Sequence, residues 1–84
     1  MFLHVGNNKT ILLERVVGIF DMDNATVSQI TRSYLTSAQR EGRLESCGLE
    51  LPKSFILCFE GDDPKNTRVC FSKLSAASLL GRLE

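Results

Sequence analysis

The hydrophobic pattern at the start of the chain predicts strands joined by a short turn. Residues 2–5 alternate weakly and stop at residues 6–8, whose glycine and asparagines tolerate a positive φ. An apolar, β-branched run then extends over residues 10–20 and is interrupted by polar side chains at Glu14. We therefore expect a strand, a hairpin turn and a second strand with a bend near Glu14 and a further interruption at Gly18.

The central segment predicts one amphipathic helix over residues 26–41 that ends at Gly42. Its first residues, Thr-Val-Ser-Gln at 26–29, have the spacing of a capping box, which satisfies two backbone donors at once. Glycine at position 42 suits the left-handed conformation that often follows a helix. Four side chains predicted to face the core fall within about 80° of arc. They are Val27, Ile30, Tyr34 and Ala38.

The opposite face of this helix is predicted to be a short basic stripe. Arg32, Arg40 and Arg43 project there, again within about 80° of arc, provided that helical geometry continues to Arg43. A charged stripe is commonly the solvated face of a helix. Guanidinium groups also bind phosphate in a bidentate manner, so the stripe could instead contact a nucleic-acid backbone.

Residues 54–60 and 67–72 predict the clearest hairpin in the chain, joined by a loop at residues 61–66. A symmetric turn places Cys58 opposite Cys70, so that the two thiols are neighbours. The side chains on the other face of this hairpin are assigned to the core. They are Phe55, Leu57, Phe59, Val69 and Phe71.

The remaining segments complete the expected fold. The same hairpin register pairs Glu60 with Arg68, and residues 43–47 predict a brief strand. A short last helix is expected to begin at about Ser75. The predicted class is α+β, with a small twisted antiparallel sheet, one longer helix and a short C-terminal helix in a single domain over residues 1–84.

The length and the cysteines favour self-association. A chain of 84 residues buries only about two-thirds of the surface that its unfolded form exposes, so its core is marginal. Cys47, Cys58 and Cys70 are odd in number and match neither a disulfide framework nor a zinc spacing. Packing is their simplest role, and a redox switch between Cys58 and Cys70 is the alternative. Partner subunits remain as the means of stabilising so small a domain.

Charge and targeting signals set the expected compartment. The N-terminus lacks a basic segment followed by an apolar stretch, and no apolar run approaches the roughly 20 residues that span a bilayer. We therefore expect a cytoplasmic protein with reduced thiols and no membrane partner. Ten basic and ten acidic residues give a formal net charge of zero, which leaves only the distribution of charge to attract a polyanion.

Few residues could carry catalysis. His4 is the only histidine and has no neighbouring acid, so it is an ordinary strand residue or a pH-sensitive contact. Asp21 and Asp23 could form a carboxylate pair or half of a metal site, although carboxylates before a helix more simply cap it. Residues 6–10 lack the glycine spacing of a phosphate-binding loop. The sequence thus predicts no enzyme, cofactor, metal or small-molecule substrate.

Four segments, in their order and spacing, resemble one family of bacterial regulators. They read Met-Phe-Leu-His-Val-Gly at 1–6, Val-Val-Gly-Ile-Phe-Asp-Met-Asp at 16–23, Leu-Pro-Lys-Ser-Phe-Ile-Leu at 51–57, and Leu-Ser-Ala-Ala-Ser-Leu at 74–79. Over nearly its whole length the chain resembles the RemA/RemB family of extracellular matrix regulators, and it is nearer the RemB type.

The resemblance implies a function and a set of contacts. Members resembling RemA are DNA-binding activators of biofilm matrix operons, and they form homo-oligomeric rings whose basic rim engages DNA. Arg15 matches an arginine before the apolar run, and Arg32 matches a basic position in the helix. An adjacent arginine pair of the relatives is replaced here by Glu50-Leu51, with Lys53 the only basic residue nearby. The candidate phosphate contacts are Arg15, Arg32, Arg40, Arg43 and Lys53.

Two functions follow from this sequence. The first is a DNA-binding transcriptional regulator of extracellular matrix genes that acts as a homo-oligomeric ring, in which each subunit adds phosphate contacts. The alternative is a protein-interaction scaffold that modulates a DNA-binding relative without contacting DNA. The two differ in whether Arg15 and Arg32 point to the same exposed surface.

Overall fold

A computed structural model of the chain describes residues 1–6, 9–25, 28–46, 51–61 and 63–82. The strands are β1 (Phe2–Gly6), β2 (Lys9–Leu12), β3 (Val16–Asp21), β4 (Leu44–Glu45), β5 (Ser54–Glu60) and β6 (Asp63–Ser72). The helices are α1 (Met22–Ala25), α2 (Gln29–Arg40) and α3 (Ala76–Gly81). This arrangement confirms the α+β class. Within the described ranges, every helix is too short and too polar to cross a membrane.

The strands form two sheets. β1 and β2 make an antiparallel hairpin of their own, and the other four strands lie in the order β3-β5-β6-β4. β3, β5 and β6 pair in antiparallel fashion, as predicted, whereas β4 runs parallel to β6. The parallel pair is possible because β4 and β6 are not consecutive in the chain, so no tight turn has to join them.

The predicted bend near Glu14 is confirmed, and it joins the two sheets. A single 3₁₀ turn at Leu13–Arg15 separates β2 from β3. The register of β3 against β5 then shifts between Val16 and Gly18, which is the interruption expected at the glycine. These two irregularities carry the chain from the hairpin layer into the larger sheet.

The larger sheet is covered on both faces, so the prediction of a single core face is wrong. One face packs against the β1–β2 hairpin and α3, and we call this layer the first core. Its buried residues are Leu3, Val5, Ile11, Ile56, Cys58, Cys70 and Leu79. Burial on both faces explains why β5 reads as a nearly continuous hydrophobic run instead of an alternating one.

The other face of the sheet packs against α2 and forms the second core. Its buried residues are Ala38, Phe55 and Val69, with Tyr34, Leu35, Leu44, Leu57 and Phe71 packed around them. Phe20 of β3 stacks on Phe55 of β5, with ring centroids 5.1 Å apart. Of the five side chains assigned to the core on this face, Phe59 is half-buried and belongs to neither core.

β5 and β6 pair in a register that differs by two residues from the predicted one. Cys58 lies opposite Arg68, so the predicted pairing of Cys58 with Cys70 is wrong. The turn is shorter than expected, because Glu60 already pairs with Asp63. Since side chains alternate with a period of two, a shift of two preserves the faces, and both cysteines remain on one side as buried free thiols.

The predicted start of the long helix is also corrected. α2 begins at Gln29, and the hydroxyl of Ser28 accepts a hydrogen bond from the backbone N–H of Thr31. Thr26 and Val27, which were assigned to the cap and the core face, lie outside the described residues. The helix ends at Arg40, and the chain then turns at Gly42. The φ of this residue is 75°, in the left-handed region that favours glycine.

Ile30 was assigned to the core and is instead 83 % exposed. The helix packs over β4 and β6 through Ala38 and its neighbours, so its first turn projects beside the sheet instead of onto it. Helical periodicity identified the correct direction for Ala38 but could not show how far the sheet extends beneath the helix.

Two buried serines join the layers at one end of the sheet. Ser54 and Ser72 are cross-strand partners, and both are fully buried. The Ser54 hydroxyl donates to the carbonyl oxygen of Leu74 at 2.7 Å, and the Ser72 hydroxyl donates to that of Val5 at 2.8 Å. Each hydroxyl therefore satisfies its own hydrogen-bonding need while holding another segment against the sheet. Ser75 caps α3, which confirms the predicted start of that helix.

Replacement of Ile56 by Ala should destabilise the protein by about 2–5 kcal/mol, because this fully buried side chain fills the first core. The control change Leu51→Ala, at a side chain that is 88 % exposed, should alter the free energy of unfolding by less than about 0.5 kcal/mol. Urea denaturation at one fixed protomer concentration measures both changes. Equal losses for the two variants would show that the burial described for Ile56 is incorrect.

Candidate nucleic-acid interface

Two of the candidate arginines lie together on the outer face of α2. Arg32 and Arg40 are exposed and flank a shallow groove of about 240 Å³, which we call the helix groove. The side chains that line it are Gln29, Arg32, Ser33, Thr36, Ser37 and Arg40. Among the described residues no carboxylate lines the groove, so its lining side chains carry two positive charges with hydroxyl and amide groups between them.

The geometry of the helix groove suits more than one phosphate. Eight residues separate the two arginines, which places their Cα atoms about 12 Å apart along the helix axis. One guanidinium nitrogen of Arg32 donates to the side-chain carbonyl of Gln29 at 2.8 Å. No ion pair joins Arg40 to another of the described residues. This spacing along the helix axis allows each arginine to contact a different phosphate of an extended backbone.

Arg43 does not belong to the basic stripe, which corrects the sequence-based assignment. α2 ends before this residue, and the side chain turns back beneath the helix, where it is 22 % exposed. One of its nitrogens donates to the carbonyl oxygen of Thr67 at 3.0 Å and to the hydroxyl of that residue at 3.1 Å. Its guanidinium carbon lies 5.6 Å from the ring centroid of Tyr34.

The surroundings of Arg43 make it a structural residue. Hydrogen bonding to Tyr34 and then the carboxylate of Glu41 raise the pKa of the guanidinium, whereas burial opposes them. The hydroxyls of Tyr34 and Thr67 are 2.6 Å apart and complete the network. Arg43 therefore fastens the end of α2 to β6, and its Nε and one of its two terminal nitrogens already donate to protein atoms.

Arg15 lies on the opposite layer of the protein from Arg32. It ends the 3₁₀ turn before β3 and lines a cavity between the β1–β2 hairpin and the end of the larger sheet. Val16, the next residue, pairs with Cys58 of β5. Arg15 thus belongs to the side of the sheet covered by the hairpin, whereas Arg32 lies on the outer surface of α2 on the other side.

Lys53 is exposed and occupies a third location. Its backbone N–H donates to the carbonyl oxygen of Ser72, and its own carbonyl accepts from the N–H of Met22. These bonds fix it at the start of β5, while Arg15 lies near Cys58 at the far end. Five residues of extended chain correspond to about 17 Å. Within one protomer the structure brings together only Arg32 and Arg40 of the five candidates.

Sequence reasoning missed a second charged cluster at the cavity beside Arg15. The guanidinium of Arg68 bonds Glu45 at 3.1 Å and Glu60 at 3.3 Å. Glu45 is also paired with Lys9. The contact between Glu60 and Arg68 was predicted, although it forms diagonally and not between directly opposite residues. Lys9 and Glu45 lie far apart in sequence, and no local pattern links them.

The other candidate groups have ordinary structural roles. The carboxylate of Asp21 accepts from the backbone N–H of Asp23 at 2.9 Å, which confirms its role as a cap at the start of α1. His4 is an exposed strand residue opposite Thr10. Burial raises the pKa of the Cys58 thiol, with the nearby guanidinium of Arg68 opposing this effect. A neutral, buried thiol is a packing group and a poor nucleophile.

Comparison of the chain with models of known protein families and with curated proteins finds no match.

Replacement of Arg43 by Ala should destabilise the protein by about 1–3 kcal/mol, because it removes two hydrogen bonds to Thr67 and the contact with Tyr34. Arg40→Ala also removes one positive charge, but from the exposed helix groove. It should lower the free energy of unfolding by less than about 0.5 kcal/mol. Thermal and urea denaturation measure both. If Arg40→Ala were the more destabilising change, the assignment of Arg43 as the structural arginine would be wrong.

Proposed function

We propose that this chain is a cytoplasmic, homo-oligomeric regulator of extracellular matrix genes that binds the DNA backbone through the helix groove. The observation that carries the proposal is the pair Arg32 and Arg40, exposed on one face with hydroxyl groups between them and no lining carboxylate. Guanidinium groups bind phosphate in a bidentate manner and remain charged at any physiological pH. The resemblance to the RemA/RemB family supports the regulatory role.

A single protomer would bind DNA weakly, because it offers few phosphate contacts. Each neutralised phosphate releases condensed counterions, so affinity grows with the number of contacts. Repetition of the helix groove around a homo-oligomer presents several such contacts at high effective concentration. A chain without net charge can then bind a polyanion through one face of its assembly.

The helix groove favours contacts with the backbone over the reading of bases. Its polar side chains are short, apart from the arginines and Gln29, and Arg32 already bonds that glutamine. Phosphate contacts position a protein on DNA but carry no sequence information by themselves. We therefore expect the helix groove to bind DNA of different sequences with similar affinity, and we expect that affinity to fall steeply as the salt concentration rises.

An apolar groove with two exposed side chains supports the self-association that this function requires. Phe20 and Ile30 are exposed, and together with half-buried Tyr34 and Leu57 and buried Phe55 they line a largely apolar groove of about 230 Å³ at the first turn of α2. Soluble monomers rarely expose large contiguous apolar patches, and such patches are typical of protein interfaces.

A protein-interaction scaffold is the second candidate, and one observation favours it. Arg15 and Arg32 lie on opposite layers of the protomer, whereas direct DNA binding through both of them requires a shared surface. Arg15 and Lys53 could join the helix groove on DNA only if neighbouring protomers brought them to the same side of an assembly. Without that arrangement, the protein would modulate a DNA-binding relative without contacting DNA.

Light scattering at micromolar protein should give a mass several times that of the 9.4 kDa chain. The expectation rests on a small core without disulfides and on the apolar groove beside α2. A monomer under these conditions would remove the multivalent basis of the proposed DNA contact.

The double substitution Arg32→Gln with Arg40→Gln should weaken binding to unrelated DNA duplexes nearly equally and flatten the dependence of affinity on salt. Each lost phosphate contact should reduce the slope of log affinity against log salt by about 0.9. Fluorescence anisotropy over a range of salt concentrations measures both quantities, and light scattering checks that the oligomer is intact.

Arg15→Gln is the matched control, since it removes one positive charge from the opposite layer. It should leave the DNA affinity and the salt slope close to those of the wild type. Equal losses for the control and the groove variants would contradict the assignment of the contact to the helix groove. If an intact wild-type oligomer bound no DNA at low salt, the interaction scaffold would replace direct DNA binding.

A further inference from the structure

The cavity beside Arg15, which we call the hairpin cavity, has a size and lining typical of ligand sites. It measures about 340 Å³ and lies between the β1–β2 hairpin and the end of the larger sheet. Pockets for small molecules usually begin at about 300 Å³ and combine apolar walls with a few polar groups. The residues that line the hairpin cavity come from five separate segments of the chain, so no local sequence pattern predicts this site.

Both carboxylates at the hairpin cavity are neutralised within the protein. Arg68 bridges Glu45 and Glu60 with nitrogen-to-oxygen distances of 3.1 and 3.3 Å, and Lys9 pairs with Glu45. Three of these four side chains are only 29 to 37 % exposed, so solvent screens their interactions incompletely. These charges balance one another and fix the position of Arg68 at the cavity wall.

Arg15 is the surplus cation of the cavity. Lys9, Arg15 and Arg68 face two carboxylates, which leaves one net positive charge. Among the described residues, no salt bridge or side-chain hydrogen bond engages the Arg15 guanidinium, and the residue is half-buried. An unpaired guanidinium at a partly desolvated wall favours an anion, because its five donors match a carboxylate or phosphate group.

The remaining lining of the cavity is mostly apolar. Ile11, Cys58 and Cys70 are buried residues that line it, and Phe2, Thr10, Leu12 and Phe59 complete the lining. Burial keeps Cys58 a neutral thiol, so it acts here as an apolar surface. The cavity thus offers one cation and a hydrophobic volume that fits a ring.

We propose that the hairpin cavity binds a small organic anion that has one acidic group for Arg15 and a ring-sized apolar body for the cavity walls. This site is independent of the DNA contact, since it uses neither Arg32 nor Arg40. A DNA backbone is disfavoured here, because Glu60 is 46 % exposed at the same cavity and would repel a continuous row of phosphates.

Methyl NMR of the full-length protein labelled at isoleucine tests the proposal, and it works for a large oligomer. Ile11 lines the hairpin cavity, Ile30 is an exposed residue of α2, and Ile19 and Ile56 report the fold. Titration with benzoate should shift the Ile11 methyl signal with saturation on the order of millimolar, as expected for so small a ligand. The Ile30 signal should not move.

Two companion ligands separate the contributions of charge and ring. Acetate has the acidic group without the ring, and benzamide has the ring without the charge. Both should bind at least several-fold more weakly than benzoate. Benzamide binding equal to that of benzoate would show that Arg15 contributes nothing, and acetate binding equal to that of benzoate would show that the apolar walls contribute nothing. Either result would overturn the proposal.

The Arg15→Gln variant should lose about tenfold or more in benzoate affinity, since it removes a charge-assisted hydrogen bond. Arg15→Lys should retain part of the affinity, and the matched control Arg40→Gln should bind as the wild type does. Unchanged Ile19 and Ile56 signals show that each variant is folded. Wild-type affinity in Arg15→Gln, a shift at Ile30 in place of Ile11, or no saturable shift at millimolar benzoate would each overturn the proposal.

Discussion

The pairing of β5 with β6 is the interaction on which the other layers depend. These two strands lie in the centre of the larger sheet, and their alternate side chains enter both cores. Ile56 and Cys70 are turned to the hairpin layer, whereas Phe55 and Val69 are turned to α2. A chain of 84 residues has no spare segment with which to build a separate core, so every other element packs on one face of this pair or extends its edge.

Local chemistry was sufficient to predict most of the elements, although not α1, and it did not predict how they meet. The bend at Glu14 and the cap at Ser75 depend on a few neighbouring residues, and both were predicted correctly. The hairpin register depends on where the turn closes, and the exposure of Ile30 depends on how far the sheet extends under α2. Such features are set by contacts between distant segments, which a periodicity of 2 or 3.6 residues does not encode.

The candidate site was predictable to a similar extent. Helical geometry alone places Arg32 and Arg40 on one face, because both belong to α2. Arg43 was misassigned, since the helix ends before it and the partners that hold it lie on β6. In the cluster around Arg68 only the contact with Glu60 was predicted, because Glu45 and its partner Lys9 come from segments distant in sequence. Although the net charge of the chain is zero, the outer face of α2 carries two arginines. The opposite layer carries the ion-pair network of Arg68, in which positive and negative charges are equal in number.

The two-residue periodicity of the central pair has a consequence for how such a chain can change its length in evolution. Both faces of β5 and β6 are buried, so a shift of their register by one residue would exchange the two sets of side chains between the cores. A shift of two residues preserves the faces and changes only which partners lie opposite. A longer loop after Glu60 can absorb an insertion of any length. An insertion that moved the register by an odd number of residues would require a compensating bulge such as the irregularity already present between Phe59 and Glu60.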